Sequence, residues 1–238
     1  MKREYTFENF VITPSNQFVY NIVKTVAENP GGVHNPLFIY GKSGVGKTHL
    51  VKAIENEIKI TKPDFKVLYV TAETFCNDML EAIENRNMRA FHIKYRSVDI
   101  LLFNDLQFVS AKHMLQEELF YTLEELLNKD TQIVFSSDKP LKEIDIITDK
   151  LRNRVSSGVL AEIQQPDADT RVEIIKNKFK QLNMEIPYDI IELIAEKLED
   201  NVFDLEGVVK KIYALYTVNF EKPTVILAKK IIDEIVNL

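Results

Sequence analysis

Short runs of consecutive apolar residues alternate with helical stretches along the first two-thirds of the chain. Residues 37–40, 66–70, 100–103, 132–135 and 159–163 read as strands. Between them, 46–60, 74–82, 86–95 and 113–127 carry helical patterns. Near-continuous apolar strands separated by helices predict a parallel sheet covered on both faces. After Gln164-Gln165-Pro166 helical periodicity takes over, with Ile190, Ile194 and Leu198 on one face and Leu227, Ile231 and Ile235 on another. Pro166 and Asp167 mark the joint, with Asp167 as a helix N-cap. Pro187 and Pro223 punctuate the later helices. The expected architecture is an α/β class, three-layer α/β/α domain with a five-stranded parallel sheet over 1–164, followed by a small all-helical lid over 165–238.

Composition narrows the class without naming a chemistry. Of 238 residues, 45% are hydrophobic and 28% charged, which excludes disordered and low-complexity chains. The net charge of −6 excludes a strongly basic coat for duplex DNA, although local basic patches remain open. A single cysteine, Cys76, forbids an internal disulfide, fits a reducing compartment and reads as a small buried residue. No apolar run approaches about 18 residues, so no membrane span is expected. Met1-Lys2-Arg3-Glu4-Tyr5 lacks the apolar core of a signal peptide. A soluble, cytoplasmic location is the expectation. The four histidines, His34, His49, His92 and His113, show no metal-ligand spacing.

Glycine carries the strongest local signal. There are seven in the chain, and Gly41, Gly44 and Gly46 crowd into six residues. Gly41-Lys42-Ser43-Gly44-Val45-Gly46-Lys47-Thr48 satisfies G-x-x-x-x-G-K-[ST] after a strand and before a helix. In such a loop backbone N–H groups turn inward toward phosphate oxygens, and the helix N-terminus adds its dipole. Lys47 would reach the β- and γ-phosphates, and the Thr48 hydroxyl would ligate Mg²⁺. The third strand ends Phe103-Asn104-Asp105. P-loop ATPases usually carry an aspartate at the first of these two polar positions to hold the Mg²⁺ shell. Asn104, a neutral donor, supports the ion less well. Asp105 stands where a residue polarising the attacking water is expected, or it leans to the metal. Nucleotide binding with weak hydrolysis follows.

These residues, in this order, resemble the AAA+ domain of the bacterial chromosomal replication initiators, the DnaA family. The resemblance runs from Tyr5-Thr6-Phe7-Glu8-Asn9-Phe10 and Pro14-Ser15-Asn16 through Asn35-Pro36 and the loop. It continues through Tyr95-Arg96-Ser97-Val98-Asp99, Asp105-Leu106-Gln107-Phe108 and Gln116-Glu117-Glu118. It closes with Ser136-Ser137-Asp138, Leu151-Arg152-Asn153-Arg154 and Asp204-Leu205-Glu206-Gly207. It implies an ATP or ADP site, with Mg²⁺, built from Gly41, Gly44, Val45, Gly46, Lys47, Thr48 and His49. That site lies between base and lid, and a segment containing Tyr5, Val11, Ile12 and Asn16 closes over the adenine. It implies a sensor at Asp138, catalytic work at Asp105, and an arginine finger at Arg154 that reaches the nucleotide of a neighbouring subunit and so makes self-association ATP-dependent. Read alone, Arg154 would be a surface ion pair.

Three departures from the family pattern stand out. Asn104 replaces the carboxylate. Phe203 occupies the lid position where the family has a phosphate-sensing arginine. Residues 227–238 resemble the helix that leads into a duplex-reading domain, and no such module is expected in this chain. Residues 85–98 contain Arg86, Arg89, Lys94 and Arg96 without an acid, which alone reads as a solvated helix face. The resemblance implies single-stranded DNA held along Leu80 and Lys112, with the family's basic residue lost at Met114. The functional expectation is an ATP-dependent assembling initiator-like protein that meets other replication proteins. A helicase-loader-like or regulatory ATPase and a nucleotide-insensitive interaction module are the alternatives.

Overall fold

The computed structural model describes residues 5–199 and 202–236. Met1 to Glu4, Asn201 of the lid motif and the last two residues of the chain, for which the sequence raised expectations, lie outside the described residues. The chain divides into two compact units. One comprises Met1–Phe10, Asn16–Lys42 and Lys47–Ile163; the other comprises Val11–Ser15, Ser43–Gly46 and Gln164–Leu238.

The first unit is built on strands β1 (Leu37–Tyr40), β2 (Val67–Thr71), β3 (Ile100–Asn104), β4 (Gln132–Ser137) and β5 (Val159–Glu162). They form one parallel sheet in the order β2-β3-β4-β1-β5. Leu37 registers with Val134 on one side and Val159 on the other, and Ile100 with Gln132 and Val67. Every residue of the inner strands β3 and β4 is buried, as an apolar run flanked by strands on both sides requires. The edge strands β2 and β5 are only partly covered.

Alternate strand residues serve opposite faces. Phe38, Leu101, Phe103, Ile133 and Phe135 meet helices α3 (Ala72–Glu84), α4 (Met88–Arg96) and α5 (His113–Leu127) through Phe75, Phe91, Tyr95, Leu119 and Leu123. Aromatic rings link this layer: Phe75 lies 4.7 Å from Tyr95 and 5.4 Å from Phe103, centroid to centroid. Cys76 is half-buried at the margin of this core, not inside it as its size suggests. Helix α2 (Lys47–Thr61) packs on β2, β3 and β4, and α1 (Gln17–Glu28) packs on α2 and β5. The sequence reading gives α1 no element. Its buried Val19, Ile22, Val23 and Val26 nevertheless follow helical spacing. The short helix α6 (Asp149–Val155) is likewise unforeseen; it buries Leu151 and Val155.

The second unit holds helices α7 (Ala168–Gln181), α8 (Tyr188–Lys197), α9 (Val202–Val218) and α10 (Val225–Val236). Ile175, Phe179, Ile190, Ile194, Leu205, Val208, Ile212 and Ile231 form its core. Asp167 caps α7, its carboxylate accepting the Thr170 N–H at 2.8 Å. Pro187 precedes α8 directly. Arg171 is buried in this unit, donating through Nε to Ala195 O at 2.7 Å and through one terminal nitrogen to Pro166 O at 2.9 Å.

Candidate nucleotide site

The strand order decides which loops can meet. Because β4 lies between β3 and β1, the residues leaving the carboxyl ends of these three strands share one edge of the sheet, where ligands of open α/β sheets bind. Gly41 follows β1, Asp105 follows β3 and Asp138 follows β4. The Gly41 N–H donates to Ser137 O at 3.3 Å and ties the start of the glycine loop to the end of β4. Gly44 and Gly46 take φ of 83° and 105°, values that a side chain would oppose.

Lys47 opens α2 and is buried. Its Nζ donates to Gly41 O at 2.6 Å and to Lys42 O at 2.8 Å, so the ammonium is held by carbonyls of its own loop rather than by a carboxylate. Burial holds its pKa below the usual lysine range, against the pull of Asp138 and Asp105. Thr48 is exposed on the next position, and Val45 is buried.

Behind the loop runs a chain of hydrogen bonds that the sequence does not announce. The Asp105 N–H donates to Ser136 Oγ at 3.2 Å, and the Ser136 hydroxyl donates to Asn104 Oδ1 at 2.6 Å. Asn104 Nδ2 donates to Asp105 Oδ2. Gln107 Nε2 donates to Asp105 Oδ1 at 3.4 Å, while Gln107 Oε1 accepts the Asp138 N–H at 3.3 Å. Asp105 itself occupies left-handed backbone, φ 63°, which an aspartate tolerates better than most residues. Oδ1 of Asp138 is buried without a hydrogen-bond partner. A buried lysine ammonium held only by carbonyls fits an anion site, whereas the unpartnered Asp138 oxygen calls for a donor such as water. Ser136 and Gln107 are the functional candidates that sequence reasoning left without a role; both sit inside quoted motif segments, which was the available signal.

The N-terminal segment lies against the first turns of α2. His49 and Thr6 O are 2.8 Å apart; a carbonyl only accepts, so the ring nitrogen Nε2 carries the proton. The rings of Tyr5 and Phe10 stand edge-on to His49 at 5.4 Å and 5.3 Å, and Asn56 Nδ2 donates to Tyr5 O at 2.7 Å. Tyr69, on β2, lies beneath Lys52 Nζ at 3.2 Å, and desolvation pushes its hydroxyl up to about 12, with Asp105 and Glu55 adding to the shift. Asn16 is buried before α1, Val11 is half-buried and Ile12 exposed.

The remaining predicted residues lie elsewhere. Arg154, on α6, forms an ion pair with Glu124 of α5, each side chain about one-third exposed. Leu80 is exposed on α3 and Lys112 is exposed immediately before α5. Phe203 is exposed in α9. The basic window is not electrostatically free. Lys94 pairs with Asp78 of α3, and Arg96 reaches Glu118 at 2.6 Å and Glu125 at 3.0 Å on α5. Arg86 and Arg89 remain exposed.

The residues present fit a polyphosphate better than they fit a tightly held metal. Among the described residues no three His, Cys, Asp or Glu side chains are grouped to hold an ion. The position that ends β3 turns an amide N–H, not an oxygen, toward Asp105. No helix of the described residues is long and apolar enough to cross a membrane.

A model of the bacterial DnaA ATPase domain matches residues 1–162. The chromosomal replication initiator protein DnaA of Nautilia profundicola is 46% identical over 212 residues, which cover 89% of this chain and 48% of that protein. The chain spans about half the length of the curated relatives it matches. Domain III of the Thermotoga maritima replication initiation protein DnaA superposes with a TM-score of 0.95 at 35% identity, covering 100% of this chain and 99% of that one. A replication initiator DnaA bound to AMPPCP and single-stranded DNA gives 0.83 at 38% identity, covering 89% and 65%.

Proposed function

The chain belongs to the family of bacterial DnaA ATPase domains, and from that premise we propose that it is an ATP-binding, self-assembling domain of the replication-initiator type. The observation that carries this reading is Lys47, a buried ammonium held by the carbonyls of Gly41 and Lys42. A triphosphate tail would take the place of those weak acceptors and meet the inward amides of the loop. Gly41, Gly44, Val45, Gly46, Thr48 and His49 belong to the same cradle. Tyr5, Val11, Ile12 and Asn16 belong to the segment that receives the base. The division into a nucleotide-binding domain over 1–164 and a helical lid over 165–238 is part of the same reading.

In this reading Asp105 orients water at the γ-phosphate, and Asp138 senses the phosphate through a water donating to its unpartnered oxygen. Mg²⁺ accompanies ATP in solution and supplies charge neutralisation when bound. Here its protein donors reduce to the Thr48 hydroxyl and Asp105, so hydrolysis is slow. Arg154 completes the nucleotide site of a neighbouring copy, making assembly depend on ATP. A single strand of DNA would follow Leu80 and Lys112, both exposed. A relative bound to AMPPCP and single-stranded DNA supports the reading that nucleotide and strand are ligands of this family.

The test is a melting shift. ATP at about one hundred times its Kd adds about 2.7 kcal/mol to the native state, a shift of several degrees for a chain of this size. Lys47→Ala is expected to remove it. A shift unchanged in that variant overturns the loop reading, and no shift in the parent leaves a nucleotide-insensitive interaction module.

A further inference from the structure

Asn104 is 4% exposed, and the orientation of its amide is dictated by its neighbours. The Ser136 oxygen accepts the Asp105 N–H. Its own proton is therefore directed to the other partner, Asn104 Oδ1, at 2.6 Å. Asp105 Oδ2 can only accept while ionised, so it must face Asn104 Nδ2, as it does. Turning the amide over would set a carbonyl against a carboxylate and leave the serine proton facing an NH₂ group. Both ends of Asn104 are thus committed, and a cation approaching this strand end meets donor hydrogens.

Asp105 is weakened as an ion ligand as well. Each of its oxygens accepts from a neutral amide, Asn104 on one side and Gln107 on the other. Donors to both oxygens occupy lone pairs that an ion would use. A positive charge is already present at neutral pH in the Lys47 ammonium, close enough for Asp105 and Asp138 to act on it. One positive charge beside the phosphates is therefore supplied by a protein group, without an ion.

Resting on the nucleotide reading above, we propose that this chain binds nucleoside triphosphate with little dependence on Mg²⁺, because Asn104 acts as a positioning residue that holds Asp105 in a neutral-amide clamp in place of a metal-facing carboxylate. Asn104→Asp would put a second carboxylate beside Asp105, remove the donor and repel the bare triphosphate. The same change would restore an oxygen ligand for the ion. Metal dependence should then appear where it was absent.

The experiment is equilibrium binding of ATP to the whole chain and to Asn104→Asp, each in excess Mg²⁺ and in excess chelator. For the parent, affinities that differ by less than fivefold are expected. A loss of fivefold or more on chelation overturns the inference while leaving the nucleotide reading intact. Absence of binding in both conditions overturns that reading and this one with it. For Asn104→Asp a loss of more than tenfold on chelation is expected, and a ratio equal to the parent's overturns the role given to Asn104. The parent comparison stands whether or not the variant folds.

Discussion

Arg154 on α6 is paired with Glu124 on α5 of its own chain. The residue proposed to reach a neighbour's nucleotide is thus already engaged at home. Assembly would exchange one carboxylate for a triphosphate, so Glu124 competes with the partner. Partly exposed pairs of this kind are worth up to about 1 kcal/mol. Glu124→Gln should therefore lower the concentration for ATP-dependent association by up to about fivefold, and Arg154→Ala should abolish the ATP dependence. Sedimentation velocity with ATP and with ADP reads both. Equal association of parent and Arg154→Ala in ATP would remove Arg154 from the interface.

Lys47 gives the nucleotide site a pH signature. Burial lowers its pKa in the free protein, and phosphate oxygens beside it would raise it again. Binding then takes up protons at alkaline pH, above the depressed free value and below the restored one. In that window affinity falls as pH rises; at pH below it the lysine is charged in both states and no proton is exchanged. Calorimetry at about pH 9.5 in buffers of different ionisation enthalpy should show net uptake, and about pH 8 should show less. No uptake at the higher pH would place Lys47 away from the phosphates.

Gly158 is fixed by a close approach of backbone. A Cβ built there would lie 1.9 Å from Pro36 O and 2.7 Å from Pro36 N. The adjacent Val159 N–H donates to that same Pro36 carbonyl at 2.9 Å, which starts the pairing of β5 with β1. Gly158→Ala should pry β5 away at its first residue, at a cost of about 3 kcal/mol or more. Urea denaturation measures this, and an unshifted midpoint would refute the packing.

The family and the α/β fold could be read in the sequence because their signals are local. An inner strand with neighbours on both sides must be apolar throughout, as residues 100–103 and 132–135 are. What escaped depends on partners far away in the chain. Helix α1 is the exception: its periodicity, Asn16 before it and Asn29-Pro30-Gly31 after it were local signals that the sequence reading left unused. The amide of Asn104 is oriented by Ser136, and the proposed finger Arg154 is engaged by Glu124; neither pairing is visible in a motif. Lys94 and Arg96 look unneutralised in the sequence only because their acids, Asp78, Glu118 and Glu125, come from α3 and α5.

That last pairing separates two kinds of cation on the same unit. Arg96 is mostly buried between Glu118 and Glu125 and also donates to Thr122 at 3.3 Å. Arg96→Ala removes the guanidinium shared by Glu118 and Glu125, leaving Glu125 to Lys129 and Glu118 to His92, so it should cost about 2 kcal/mol of stability. It should leave the salt dependence of single-strand binding unchanged, because a guanidinium already neutralised releases no counterion from DNA. Lys112 is exposed before α5. Lys112→Ala should leave the melting temperature unchanged and reduce the slope of log affinity against log salt by about 0.7, the value for one phosphate contact on a single strand. Fluorescence anisotropy with a labelled pyrimidine oligonucleotide, titrated at several salt concentrations, measures both. If Arg96→Ala lowers the slope and Lys112→Ala does not, the strand runs along α4 and the assignment of Lys112 fails.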